Sequence, residues 1–196
     1  MTATVYPRST RSLGDRYAEV SVILVTVLAL ALGWALKTAV EARSVPFEAA
    51  GISARVPDGW LRSTGGEGGE LVRVTDPASV GFGTTYVLST QPIAEGATEA
   101  QVVSLLTLNR GQSLTAYRVL DQQAVTINGR AGHMLTFVYV ESDPDLTREE
   151  VPHVVRGVEF IFLAGDRAVL VAYHADEPVY EADFARFRRF LNSVTF

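Results

Sequence analysis

Three histidines, His133, His153 and His174, are the side chains best suited to ligate a metal, and there is no cysteine to join them. Zinc requires its ligands to converge on one point. All three fall in segments that read as strands. A hairpin around Gly165-Asp166 would set His174 opposite Gly157, four residues from His153. At about 3.3 Å per residue that is about 13 Å, too far for shared ligation. They are read as ordinary sheet histidines. The loop Glu141-Ser-Asp143-Pro-Asp145, followed by Glu149 and Glu150, spaces carboxylates like the start of a calcium loop. Its sixth position is Leu146 rather than Gly and its twelfth is Pro152 rather than Glu, so an EF-hand is excluded. A looser cation site, a solvated connection between strands and a partner-facing surface formed by Glu141, Asp143, Asp145, Glu149 and Glu150 are the readings left.

Ser63 to Gly69 (STGGEGG) lacks the Lys-Ser/Thr that touches phosphate and contains Glu67, which repels it. Trp60, just after the turn Pro57-Asp58-Gly59, is a candidate ligand platform; the alternative is an anchor onto a sheet. Asp58 and Glu70 could form an acid/base pair only at a spatial separation that sequence does not fix. The G-x-S-x-G of common serine nucleophiles is missing. No catalytic residue, cofactor or metal ligand is assigned, and the expectation is a protein that is not an enzyme. The net charge of −5 argues against a nucleic-acid partner, which a basic face would mark.

What must position these residues begins with an apolar run, Val20 to Leu36, seventeen residues without a charge. As a helix it is about 26 Å long, against a hydrocarbon core of about 30 Å. Snorkelling by Lys37 extends the span to Val40. Its ten Leu, Ile and Val residues contribute about −3 to −6 kcal/mol to insertion. A soluble core helix would need a polar face that this run lacks. The other alternative, a cleaved signal peptide, has a small-x-small site at Val40-Glu41-Ala42. The nineteen-residue leader favours an uncleaved anchor. Arg8, Arg11 and Arg16 precede the run, while Lys37 and Arg43 follow it. The positive-inside rule then predicts a cytoplasmic tail over 1–19, a transmembrane helix over 20–40, a stalk over 41–44 and an extracytoplasmic domain over 45–196.

In that domain Pro46 to Val56 reads as a strand, and Leu71–Thr75 and Thr84–Thr90 alternate as half-buried strands do. Thr98-Glu-Ala-Gln101 is a capping box opening a helix with Val102, Leu105, Leu106 and Asn109 on one face and a stop at Gly111. Tyr117–Ile127 and Arg130–Glu141 form a hairpin through Asn128-Gly129, and His153–Ala164 and Ala168–His174 form a second. A last helix opens near Asp176, with Pro178 in its first turn and a stripe of Tyr180, Phe184, Phe187 and Leu191. Arg186, Arg188 and Arg189 follow in its later turns. Val194 to Phe196 closes the chain as a short strand. The order predicts an α+β fold, an antiparallel sheet sandwiched by helices.

Three elements carry a family likeness: Val56-Pro-Asp-Gly-Trp60 after an early strand, Ile127-Asn-Gly-Arg-Ala131 in the hairpin, and Phe187-x-x-Phe-Leu-Asn-Ser-Val-Thr-Phe196 at the end. Together they resemble the PsbP/Mog family, which includes an extrinsic protein of photosystem II and a binder of the Ran GTPase. The resemblance spans Val45 to Phe196 and implies an α-β-α sandwich with a non-enzymatic docking or assembly role. Its motifs are turns and core positions, so no functional residue carries over, and the membrane anchor departs from those members. The expected function is a membrane-tethered extracytoplasmic accessory domain docking on a membrane-protein assembly. The alternative is an envelope binding protein for a small apolar or lipid-like ligand, its cavity lined by Trp60, Tyr86 and Phe137.

Overall fold

The computed structural model describes residues 13–79, 81–141 and 152–196. It forms two compact units, Met1–Arg43 and Ser44–Phe196. The first contains helix α1, Leu13–Glu41, which begins upstream of the expected apolar run. Tyr17–Val40, 24 residues, is long and apolar enough to cross a membrane, the one such segment among the described residues. Its polar side chains are satisfied locally: Ser21 donates to the Tyr17 carbonyl at 2.6 Å and Thr26 to the Val22 carbonyl at 2.9 Å. Such back-bonding lets hydroxyls sit in an apolar helix without an orphaned donor.

The second unit is α+β. Strands β1 (Ser44–Ala49) and β2 (Ile52–Pro57) form a separate hairpin. Strands β3 (Leu61–Ser63), β4 (Glu70–Thr75), β5 (Thr85–Pro92), β6 (Thr115–Ile127), β7 (Arg130–Glu141), β8 (His153–Ala164) and β9 (Arg167–Asp176) form a seven-stranded antiparallel sheet. Its order is β3-β4-β5-β9-β8-β7-β6. Helix α2 (Glu99–Ser113) follows β5 and α3 (Tyr180–Ser193) follows β9.

The two helices lie on opposite faces because strand side chains alternate. Val158, Phe160 and Phe162 of β8, with Val169, Val171 and Tyr173 of β9, share a core with Phe187, Phe190 and Leu191 of α3 and Ile52 and Val56 of β2. Phe137, Ile161 and Leu170 point the other way and pack with Val102, Val103 and Leu106 of α2. Asn128 and Gly129 take φ of 51° and 77°, as the hairpin signal requires. The Asn128 side-chain amide donates to the Asn192 carbonyl at 2.8 Å, joining that turn to the end of α3. The capping box of α2 is present, with the Thr98 N–H donating to the Gln101 side chain at 2.9 Å.

Four expectations need correction. Pro46 to Val56 is not one strand: the chain reverses at Ala50-Gly51, where φ is 51° and 75°. Leu105 is 51% exposed, and Val103 is buried in its place. Helix α2 passes through Gly111 to Ser113 and stops where the Leu114 N–H donates to the Arg110 carbonyl. Helix α3 starts at Tyr180, because β9 runs to Asp176 and the next residues turn, the Val179 N–H donating to the Asp176 carbonyl at 3.1 Å. At the chain end, Thr195 makes an antiparallel bridge with Ser53.

Gly157 lies opposite Phe137 across the β7–β8 pairing. A Cβ there would meet the Phe137 ring at 2.5 Å. Gly157→Ala should therefore destabilise the domain by about 1–3 kcal/mol through overpacking, measured by denaturant unfolding of the detergent-solubilised chain. Gly129→Ala, which meets no atom within 4 Å but sits at φ 77°, separates backbone strain from crowding in the same assay.

Candidate functional site

The face covered by α2 is not uniformly apolar. Glu159 projects into it from β8 and is 1% exposed. Arg110, in the last turn of α2, donates from Nη2 to Glu159 Oε1 at 2.5 Å. Burial opposes the Arg110 charge, but the field and hydrogen bond of the Glu159 carboxylate, with Tyr117 and Tyr139 nearby, together hold its pKa above the usual value. The guanidinium also lies 5.7 Å from the Phe137 ring centroid. Toward β4, Arg73 donates from Nε and Nη2 to Glu70 Oε2 at 3.1 and 2.6 Å. Strand pairing sets Arg73 beside Val87, Val87 beside Ala172 and Ala172 beside Glu159, so both ion pairs share one stretch of sheet.

Between these pairs is a pocket of about 250 Å³, bordered by Ser89, Asn109 and His174 as well. Burial, reinforced by the Arg110 and Arg73 charges, pushes the His174 pKa down to about 3. The imidazole is thus neutral across the physiological range, with the Tyr139 hydroxyl 3.4 Å from Nδ1. Two buried polar atoms of the residues bordering it have no protein hydrogen-bond partner among the described residues: Arg110 Nε and Glu159 Oε2. A second cavity, about 430 Å³, shares Gln91 with the first and is bordered by Pro92, Ile93, Ala97, Val102 and Leu105.

Of the candidate site residues marked by the sequence, Glu70 and His174 border the first pocket, and the other described ones lie elsewhere. Trp60 is half-buried on the α3 face, its ring 4.6 Å from that of Tyr86. Arg186 is 5.9 Å from the Trp60 ring centroid and donates to Asp76 at 3.0 Å. The expected lining of Trp60, Tyr86 and Phe137 is split, since Tyr86 belongs to the α3 core and Phe137 to the α2 core. Glu141 is exposed at the end of β7, paired with His153. Asp143, Asp145, Glu149 and Glu150 lie outside the described residues. His174 does pair with Gly157, as the hairpin register implied, and His153 instead sits 3.3 Å from Asp176. Glu159, Arg110 and Arg73 were not singled out by sequence. The available signal was Glu159 within the apolar run Val158 to Leu163, since a charge in a buried strand needs a partner.

No protein-family model matches the sequence, and no curated protein matches it. Solved structures do match. The solution structure of cyanobacterial PsbP from Synechocystis sp. PCC 6803 aligns with a TM-score of 0.57 at 12% identity, over 79% of this chain and 92% of that one. LpqN of Mycobacterium tuberculosis, described as involved in cell envelope biogenesis, aligns at 0.53 and 13%, over 78% and 90%. The Ran-binding protein Mog1p of Saccharomyces cerevisiae aligns at 0.50 and 11%, over 78% and 95%. The second unit therefore has a PsbP/Mog-like fold, and at these identities the likeness concerns the fold alone.

Arg110→Met leaves the buried Glu159 charge without its partner and should cost about 3–5 kcal/mol, whereas Arg110→Met with Glu159→Leu should recover most of that loss. Denaturant midpoints of the single and double variants check this. His174 is protonated near pH 6.5 when unfolded but only near 3 when folded. Below about pH 6.5 the unfolded state binds a proton that the folded state refuses, so acid destabilises the fold. The His174 contribution approaches about 1.4 kcal/mol per pH unit until the pH nears 3. The stability–pH slope of His174→Asn should be shallower in that window.

Proposed function

We propose that this chain is a single-pass membrane protein whose domain lies on the extracytoplasmic side and serves as a non-enzymatic accessory, docking on a membrane-associated protein assembly. The observation that carries this reading is the pairing of one span-length apolar helix with a separately compact α+β unit. The fold supports recognition: among proteins sharing it, Mog1p is described as Ran-binding and LpqN as part of envelope biogenesis. The basic excess before the apolar run Val20 to Leu36, Arg8, Arg11 and Arg16 against Lys37 and Arg43 after it, supports the orientation. The span would confine the domain to the bilayer surface, raising its effective concentration toward membrane-bound partners.

The full chain should sediment with membranes and stay there through an alkaline wash. Leu28→Arg, near the middle of the span, should reduce that fraction, because an arginine at mid-bilayer costs about 2.5–3.5 kcal/mol. Cross-linking in native membranes with mass spectrometry should recover the chain joined to membrane proteins; free monomers alone would sink the docking reading. Protease protection of an N-terminal tag in intact cells reports the orientation separately.

A further inference from the structure

We propose that the cleft between α2 and β5 binds a neutral, hydroxyl-rich amphiphile, with its hydroxylated head beside Arg73, Ser89 and Glu159 and its apolar chain along Ile93, Val102 and Leu105. This does not rest on the docking reading. Two cavities, one polar and one apolar, of about 250 and 430 Å³, lie on either side of Gln91, which borders both. The larger alone falls within the about 300–1,000 Å³ typical of small-molecule sites.

The charges in the polar cavity cancel pairwise. Glu159 is held by Arg110 and Glu70 by Arg73, while His174 is neutral. An anionic head would meet two carboxylates and a cationic head two guanidiniums. A neutral hydroxyl both donates and accepts, as do the Ser89, Asn109 and Gln91 side chains around it. Glu159 Oε2 and Arg110 Nε, an acceptor and a donor, are buried without a protein partner among the described residues, and buried polar atoms are ordinarily satisfied. The apolar cavity is bordered by the half-exposed Leu105 and the buried Val102 of α2 together with Pro92 and Ile93, apolar groups that suit a short alkyl chain.

The test titrates the isotope-labelled full chain in phosphatidylcholine nanodiscs with methyl and hexyl β-D-glucopyranoside, followed by amide NMR. Both should give saturable shifts near Ser89 and Ala172, with the hexyl glycoside at least about tenfold tighter because its added methylenes are buried. Leu105→Gln, at an exposed position, should remove the hexyl advantage and leave the methyl glycoside unaffected. Ser89→Leu should weaken both at least about tenfold; if it fails to fold, Gln91→Ala takes its place. Absence of saturable shifts, meaning that water alone satisfies the buried atoms, would overturn the proposal. So would hexanol binding as tightly as the glycoside, or hexyl phosphate or hexylammonium binding more tightly.

Discussion

The central strands β8 and β9 are covered on both faces, and this fixes most of what surrounds them. Every second residue must suit the aromatic core under α3, and the residues between must suit the cavity side under α2. A slip of one residue in β8 would exchange its two sets, driving Glu159 into the cluster of Tyr173, Phe187 and Phe190. The turns hold the register against such a slip. Asn128 and Gly129 adopt left-handed backbone angles, as does Gly165 between β8 and β9. Gly157 adds a steric lock, because only a residue without a side chain leaves room for Phe137 opposite it.

The two covers differ in kind. On the α3 side Tyr86, Tyr173, Phe187 and Phe190 contact one another with centroid distances between 5.1 and 6.1 Å. Such pairs contribute about 0.5–1.5 kcal/mol beyond burial of their area. The Tyr173 hydroxyl donates to the Tyr180 carbonyl at 2.8 Å, and Thr84 donates to Asp183 of α3 at the same distance. Helix α2 buries only Val102, Val103 and Leu106 and adds one charged link to Glu159. Fewer buried apolar contacts mean a lower free energy of local opening. The α2 side is thus both the chemically varied face and the one better able to adjust around a bound molecule.

Much of this fold was legible because its signals are local. Asn128-Gly129 and Thr98 to Gln101 specify their turn and cap within four residues, and the second hairpin placed His174 opposite Gly157 from spacing alone. What escaped was non-local or lacked a distinctive residue. The turn at Ala50-Gly51 hides because alanine carries no left-handed signal, so two strands read as one. Leu105 looked like core because periodicity reports amphipathicity, not which neighbour exists to cover each position. The site escaped for the same reason: Arg73, Arg110 and Glu159 are distant in sequence and meet only through the β4-β5-β9-β8 order. Trp60 attracted notice by residue type, yet its contacts with Tyr86 are those of a core-capping side chain.

A cleft with balanced charge would pair coherently, on physical grounds, with the membrane tether proposed for α1. Neutral hydroxyls exchange water hydrogen bonds for protein ones at little net gain, about 0.5–1.5 kcal/mol each. A small polar pocket therefore binds weakly on its own. Weak binding suffices where ligand and protein share a surface, because confinement raises the local concentration each experiences. In that setting discrimination comes from mismatch more than from attraction. A charged head entering between the Arg73–Glu70 and Arg110–Glu159 pairs would have to break one of them, and a buried half-pair is costly. The Arg110–Glu159 pair that fastens α2 to the sheet would then also help exclude charged headgroups, tying selectivity to the arrangement that holds the helix in place.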